Sequence, residues 1–202
     1  DNAANLVSAL KDEPHLRCVC HCINLVVTQG IDSCERLLHH LDGCRKLVTH
    51  FKRCELQQHL TTSLKQDVDT RWNSVYEMVQ SILKVEHEVM AVLISRKEDY
   101  YIEDIDFILL NNMCTILTSF KMASEFLSGD QEPTLHLVLP FVKLFNDACE
   151  LKVYDSPVIK DFKKALKEKV KDKIWLSEFH YVATFLHPET KSLSVCHILS
   201  QY

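Results

Sequence analysis

The apolar positions of this chain recur at steps of three and four along most of its length. Leu37, Leu41, Cys44, Val48 and Phe51 follow one another at steps of 4, 3, 4 and 3 within residues 35–60. That is one stripe of an α-helix, with Arg45, Lys46, Lys52 and Arg53 elsewhere on its surface. The same period predicts a helix over 71–95, with Trp72, Val75, Val79, Ile82, Val89 and Leu93 inward. It predicts another over 103–127 through Ile105, Ile108, Ile116, Phe120 and Phe126, with Gly129 as its stop. The phrase "EPTLHLVLPFVKLFNDACE" restarts a helix that is expected to kink at Pro140. Asp155-Ser156-Pro157 opens a helix running to about Lys173, and "IWLSEFHYVATFLHP" is apolar and aromatic up to Pro188. At the front, 3–11 reads as a short helix capped by Asn2 and ended by Pro14. Residues 15–20 alternate, with Leu16, Cys18 and Cys20 on one side, and are the candidate strand. From Cys22 to Thr28 the chain is continuously apolar, which suggests a buried helix.

Composition sharpens this reading. Three Gly and five Pro in 202 residues supply too few turns for a sheet-rich domain, so long helices with short joints are expected. The length suffices for one or two units with a core. No run of 18 apolar residues spans a membrane, and no signal peptide is visible. Nine cysteines, an odd number, point to free thiols in a reducing compartment. A net charge of −5 offers nucleic acid no global attraction, so any DNA contact must be local. The chain opens on Asp1 rather than Met and reads as an excerpt of a longer protein.

Four places carry candidate chemistry. Cys18, Cys20, His21 and Cys22 are too crowded for all four to surround one tetrahedral ion. A zinc site would need a second pair from among Cys34, His39, His40, Cys44, His50 and Cys54, whereas packing requires nothing further. Asp1 is a helix cap or a solvated end, or else a carboxylate of the kind that two-metal nucleases place at a strand tip. In "DVDTRWNSVYEMVQSIL", Asp69 or Thr70 caps a helix that Trp72 anchors in the core. Alternatively Arg71 meets a phosphate and Trp72 stacks on a base. The run 160–173 holds seven Lys against three acidic residues, either a solvated face or a non-specific phosphate contact.

Taken together, "DNAAN" at 1–5, "RCVCHCINLVV" at 17–27, "DTRWNS" at 69–74, "FLSGDQEPTLHLVLP" at 126–140 and "VATFLHPETKSL" at 182–193 resemble the hAT transposases and their domesticated descendants. The resemblance implies a ribonuclease H-like core whose Asp, Asp, Glu triad holds two Mg²⁺ ions, with a large all-helical insertion. By position Asp1 matches the second Asp of the triad, and Cys18 and His21 match a structural Cys-x-x-His pair where core meets insertion. Arg71 and Trp72 match the pair that contacts DNA near the cleaved end. His187 and Glu189 stand where the family often has Asp and Arg, a drift that fits a domesticated copy.

The expected fold is therefore mainly α: a helical insertion domain of a hAT-type ribonuclease H-like fold, with a small α/β core remnant at the N-terminus. Residues 1–21 would be core, 22–185 the insertion and 186–202 the return segment. The expected function is a transposase-derived module of a nuclear, DNA-binding, transcription-regulating zinc-finger protein. It would be no enzyme, since one Asp cannot hold two metals, and Mg²⁺ would bind at Asp1 only if an intact triad existed in the full protein. Its partners would be nuclear proteins or a second copy, with DNA contact, no membrane and no small-molecule substrate. The alternatives are an excerpt of an active Mg²⁺-dependent transposase and a zinc-stabilised interaction module. The aromatic stretch 174–185 would lie against the core or against another subunit.

Overall fold

A computed structural model describes residues 8, 9, 11, 15–68, 71–129 and 132–191. The described chain is helical: α1 (Val19–Asp32), α2 (Glu35–Arg53), α3 (Trp72–Lys84), α4 (Glu86–Arg96), α5 (Phe107–Leu127), α6 (Val138–Ala148), α7 (Pro157–Lys173) and α8 (Glu178–Leu186). Short 3₁₀ turns lie at Leu56–His59, Asp99–Tyr101 and Leu135–Leu137. Among the described residues no strand forms, and no helix is long and apolar enough to cross a membrane. Most of the helix expected over 3–11, and Asp1 with it, lies outside the described residues.

The expected strand at 15–20 is corrected. Residues 15–18 have no regular structure, and Val19 and Cys20 already belong to α1. An alternating pattern makes a strand only where a neighbour completes its hydrogen-bond ladder, and no described segment offers one. The small α/β remnant is therefore not seen in the described part of the N-terminus.

The chain divides into two compact units. One holds residues 31–117 and 153–162. Its centre is the α2 stripe: Leu37, Leu41, Cys44, Leu47, Val48 and Phe51 are all buried. Gly43 lets the loop after the second 3₁₀ turn come close, for a Cβ there would stand 3.1 Å from Ile105 Cγ1. His40 Nδ1 lies 2.7 Å from the Asp104 carbonyl on that same loop. The single helix expected over 71–95 is broken at Val85, whose backbone (φ −120°, ψ 24°) leaves the helical region. Val85 is buried, and the break separates the core residues of α3 (Trp72, Met78, Val79, Ile82) from those of α4 (Val89, Leu93). α4 ends at Lys97 in the left-handed region, φ 58°, with its N–H on the Ile94 carbonyl and that of Glu98 on the Leu93 carbonyl.

The other unit holds, among the described residues, 15–30, 118–152 and 163–191. Cys22, Ile23, Val26 and Val27 of α1, Phe120 and Ala123 of α5 and Leu166 and Val170 of α7 are buried in it. Phe145 of α6 lies flat on Phe120, centroids 4.2 Å apart and planes at 5°. Gly30 is needed for a close approach, since a Cβ there would come within 2.6 Å of Leu166 Cδ2. The kink expected at Pro140 does not arise, because α6 begins only at Val138. Pro140 falls in the first turn, where a missing N–H breaks no helical bond.

Candidate functional site

Cys18 lies half-buried just ahead of α1, and its carbonyl accepts the first helical bond from Cys22 N–H at 3.1 Å. His21 is half-buried in the first turn. Cys22 points into the core, and Cys20 Sγ reaches the Ser124 carbonyl at 3.9 Å. Burial, followed by the neighbouring Cys18, pushes the Cys20 thiol up. Among the described residues no three His, Cys, Asp or Glu side chains converge as metal ligands. They offer neither zinc nor Mg²⁺ a ligand set, and Asp1 lies outside them.

Arg71 and Trp72 part company at the start of α3. Arg71 takes the extended N-cap position and is exposed. Trp72 is 4% exposed and meets Tyr76 edge to face, centroids 6.4 Å apart. Its ring, so placed, presents no open face to a base. The expected caps Asp69 and Thr70 lie outside the described residues. Ser74 organises the entry instead: its Oγ accepts from Val68 N–H at 2.8 Å and lies 2.6 Å from the Arg71 carbonyl.

The lysine run is the outer surface of α7, with one exception. Lys163 is buried and donates from Nζ to the Glu150 carbonyl at 2.9 Å. Ile159, Phe162, Leu166 and Val170 form the apolar stripe of that helix.

Two further features emerge only from the structure. On α8, His180 and Thr184 turn inward while Phe179, Tyr181, Val182, Phe185 and Leu186 are exposed; Trp175, just ahead of the helix, is exposed too. On α2, a groove of about 720 Å³ is lined by Arg45, Lys46 and Arg53 together with His50, Cys54 and Tyr101. The helical spacing of His50 and Cys54 was a sequence signal for this second site. For α8 the sequence leaves two places open, the core or another subunit, because an apolar helix reads as buried in either.

Comparison with known proteins gives the chain a lineage. Residues 16–115 match the family model of the ZBED1 RNase-like helical domain. The chain is 30% identical over 196 residues to the transposable element Hobo transposase of Drosophila melanogaster, across 96% of this chain and 30% of that protein. It is 25% identical over 211 residues to the human zinc finger BED domain-containing protein 4, across 95% of this chain and 18% of the relative. To the putative AC transposase of Zea mays it is 28% identical over 214 residues, across 90% of this chain and 24% of the relative. The chain thus spans less than a third of each of these proteins. Residues 16–115 are a ZBED1-type RNase-like helical domain, and the chain belongs with the hAT transposases and the ZBED zinc-finger proteins related to them.

Proposed function

We propose that this chain is the transposase-derived association module of a nuclear, DNA-binding, transcription-regulating zinc-finger protein, and that it cuts no DNA itself. The observation that carries the reading is the apolar surface of α8. Phe179, Tyr181, Val182, Phe185 and Leu186 are each more than half exposed, so this helix turns its apolar side outward, while His180 and Thr184 face inward. An apolar helix face left open to water marks a surface that a partner covers. Aromatic side chains bury roughly 150–250 Å² each, so the face and Trp175 offer on the order of 600 Å². That is about the largest apolar patch a monomer leaves open and approaches the roughly 800 Å² per partner of a stable interface. A second copy, meeting the same face in two-fold symmetry, fits this area.

The relatives, named as transposases and zinc finger proteins, support the DNA-directed and nuclear part of the reading. DNA contact falls to Arg71, an exposed guanidinium at a helix start, acting on a phosphate. Catalysis would need two further carboxylates beside Asp1 to hold two ions. Sedimentation velocity over a concentration series tests association. The chain is expected to dimerise, and Phe179→Glu with Phe185→Glu to leave it monomeric. A monomer at concentrations on the order of 0.1 mM would refute self-association.

A further inference from the structure

His50 and Cys54 stand four residues apart at the C-terminal end of α2, so their side chains share one side of it. His50 Nε2 lies 3.0 Å from Glu98 Oε2. Arg96 grips the same carboxylate through Nε at 2.7 Å and a second guanidinium nitrogen at 3.2 Å. The Tyr101 ring lies on the imidazole, centroids 4.0 Å apart and planes at 17°. Stacking fixes the ring plane, and the carboxylate fixes the tautomer, because only an Nε2–H can donate to it. In the neutral ring Nδ1 then carries the lone pair, 3.7 Å from Cys54 Sγ. Nucleophile, base and orienting carboxylate are in line.

Cys54 is exposed and opens on the groove of about 720 Å³ whose lining includes Arg45, Lys46 and Arg53 and no acidic residue. The buried thiols differ. Desolvation pushes Cys44 and Cys149 up to about 12 and Cys114 to about 11, which holds them as unreactive thiols.

We propose that Cys54 is a site of reversible thiol–disulfide exchange, with His50 as its base and Glu98 as a positioning residue, and that its co-substrate is a low-molecular-weight disulfide bearing carboxylates, of the glutathione type. His50 Nδ1 takes the thiol proton, and the Cys54 sulfur attacks one sulfur of the disulfide. The reagent's S–S bond breaks as the new one forms. The departing sulfur leaves with the electron pair and recovers the proton from His50 as a free thiol. Cys54 is oxidised by one bond, and the leaving sulfur is reduced. The carboxylates of the incoming group lie along Lys46 and Arg53, and the product turns a cationic groove towards neutrality.

The test uses the 202-residue chain, glutathione disulfide, and cystamine as a cationic disulfide of similar reactivity. Adducts are located by intact mass and peptide mapping, with circular dichroism to confirm helicity in each variant. Cys54 is expected to be the first site modified, on the order of tenfold faster than in the urea-unfolded chain. His50→Gln is expected to remove that advantage. Glu98→Gln should slow both reagents alike, and Glu98→Asp should restore part of the rate. Lys46→Glu with Arg53→Glu should lower the preference for glutathione disulfide over cystamine by on the order of tenfold. The proposal is overturned if another cysteine reacts first, if Cys54 reacts no faster folded than unfolded, or if His50→Gln leaves the rate unchanged. An unchanged preference in the Lys46/Arg53 variant overturns the anionic co-substrate.

Discussion

The imidazole of His136 lies flat on that of His187, ring centroids 3.8 Å apart and planes at 12°. His136 sits in the 3₁₀ turn ahead of α6, and His187 closes α8. The two ends are also tied through backbone. Thr184 Oγ1 donates to the His136 carbonyl at 3.0 Å, and Thr190 Oγ1 donates to the Thr184 carbonyl at 2.9 Å. Two positive charges on rings so close repel each other. Burial, and then the His187 charge, hold His136 below the ordinary histidine range, against the opposite pull of Glu189 and Glu132.

This lowering has a sign in stability. Between the depressed folded value and the unfolded value near 6.5, the unfolded chain binds more protons than the folded one. The stabilisation from neutral His136 is therefore complete above that unfolded value and is lost as pH falls through the folded one. His180, buried and lowered by desolvation, adds a contribution of the same sign. Urea unfolding should show a lower midpoint at about pH 5 than at about pH 7.5, with a shallower dependence in His136→Asn. A midpoint that stays level or rises on acidification would contradict this account.

The helical class was legible because a 3.6-residue period survives whatever a helix packs against: every member of the α2 stripe is buried. The break at Val85 was not. Ile82, Val89 and Leu93 stay in helical step across it, and no Gly or Pro marks the place. The helical spacing from Ile105 places Ile108 inward, yet it is 77% exposed. α5 starts only at Phe107, so Ile105 lies outside the helix that would have set that phase. The face buried there is Leu109, Leu110, Met113 and Cys114. Of the thiol site, the His50–Cys54 spacing could be read from the chain. Glu98, 48 residues from His50, could not, because only tertiary packing brings it there.

Arg45 and Asp67 supply a second prediction. Arg45 Nε meets Asp67 Oδ2 at 2.7 Å, and the Asp67 side chain is 3% exposed. Removing the guanidinium leaves a carboxylate buried without its charge partner, which costs far more than a surface pair is worth. Arg45→Ala should destabilise the chain by about 3 kcal/mol. Arg45→Ala with Asp67→Ala should cost less than the two single changes added together, as a double-mutant cycle in urea would show.

Lys97 supplies a third. Its φ of 58° is a conformation that glycine adopts freely and a β-carbon resists. Its N–H and that of Glu98 close the end of α4, so the geometry is imposed by the helix rather than by the lysine. Lys97→Gly should raise stability by about 0.5–1 kcal/mol. A loss of stability would mean that the lysine side chain contributes more than its strain costs.

The adjacent pair Arg71 and Trp72 should separate cleanly under substitution. Trp72 is buried against Tyr76 at the head of α3, so Trp72→Ala opens a cavity and should cost about 3–5 kcal/mol. Arg71 is exposed and gives the fold mainly its backbone, through the carbonyl close to Ser74 Oγ. Arg71→Ala should leave the urea midpoint nearly unchanged and weaken duplex DNA binding, with a salt slope reduced by about one phosphate contact. Fluorescence anisotropy on a labelled duplex, at two salt concentrations, reads both quantities. If Arg71→Ala binds DNA as the unaltered chain does, the phosphate contact is not made there. If Trp72→Ala weakens binding while its unfolding midpoint stays put, the ring leaves the core to meet a base, and the head of α3 must open when DNA arrives.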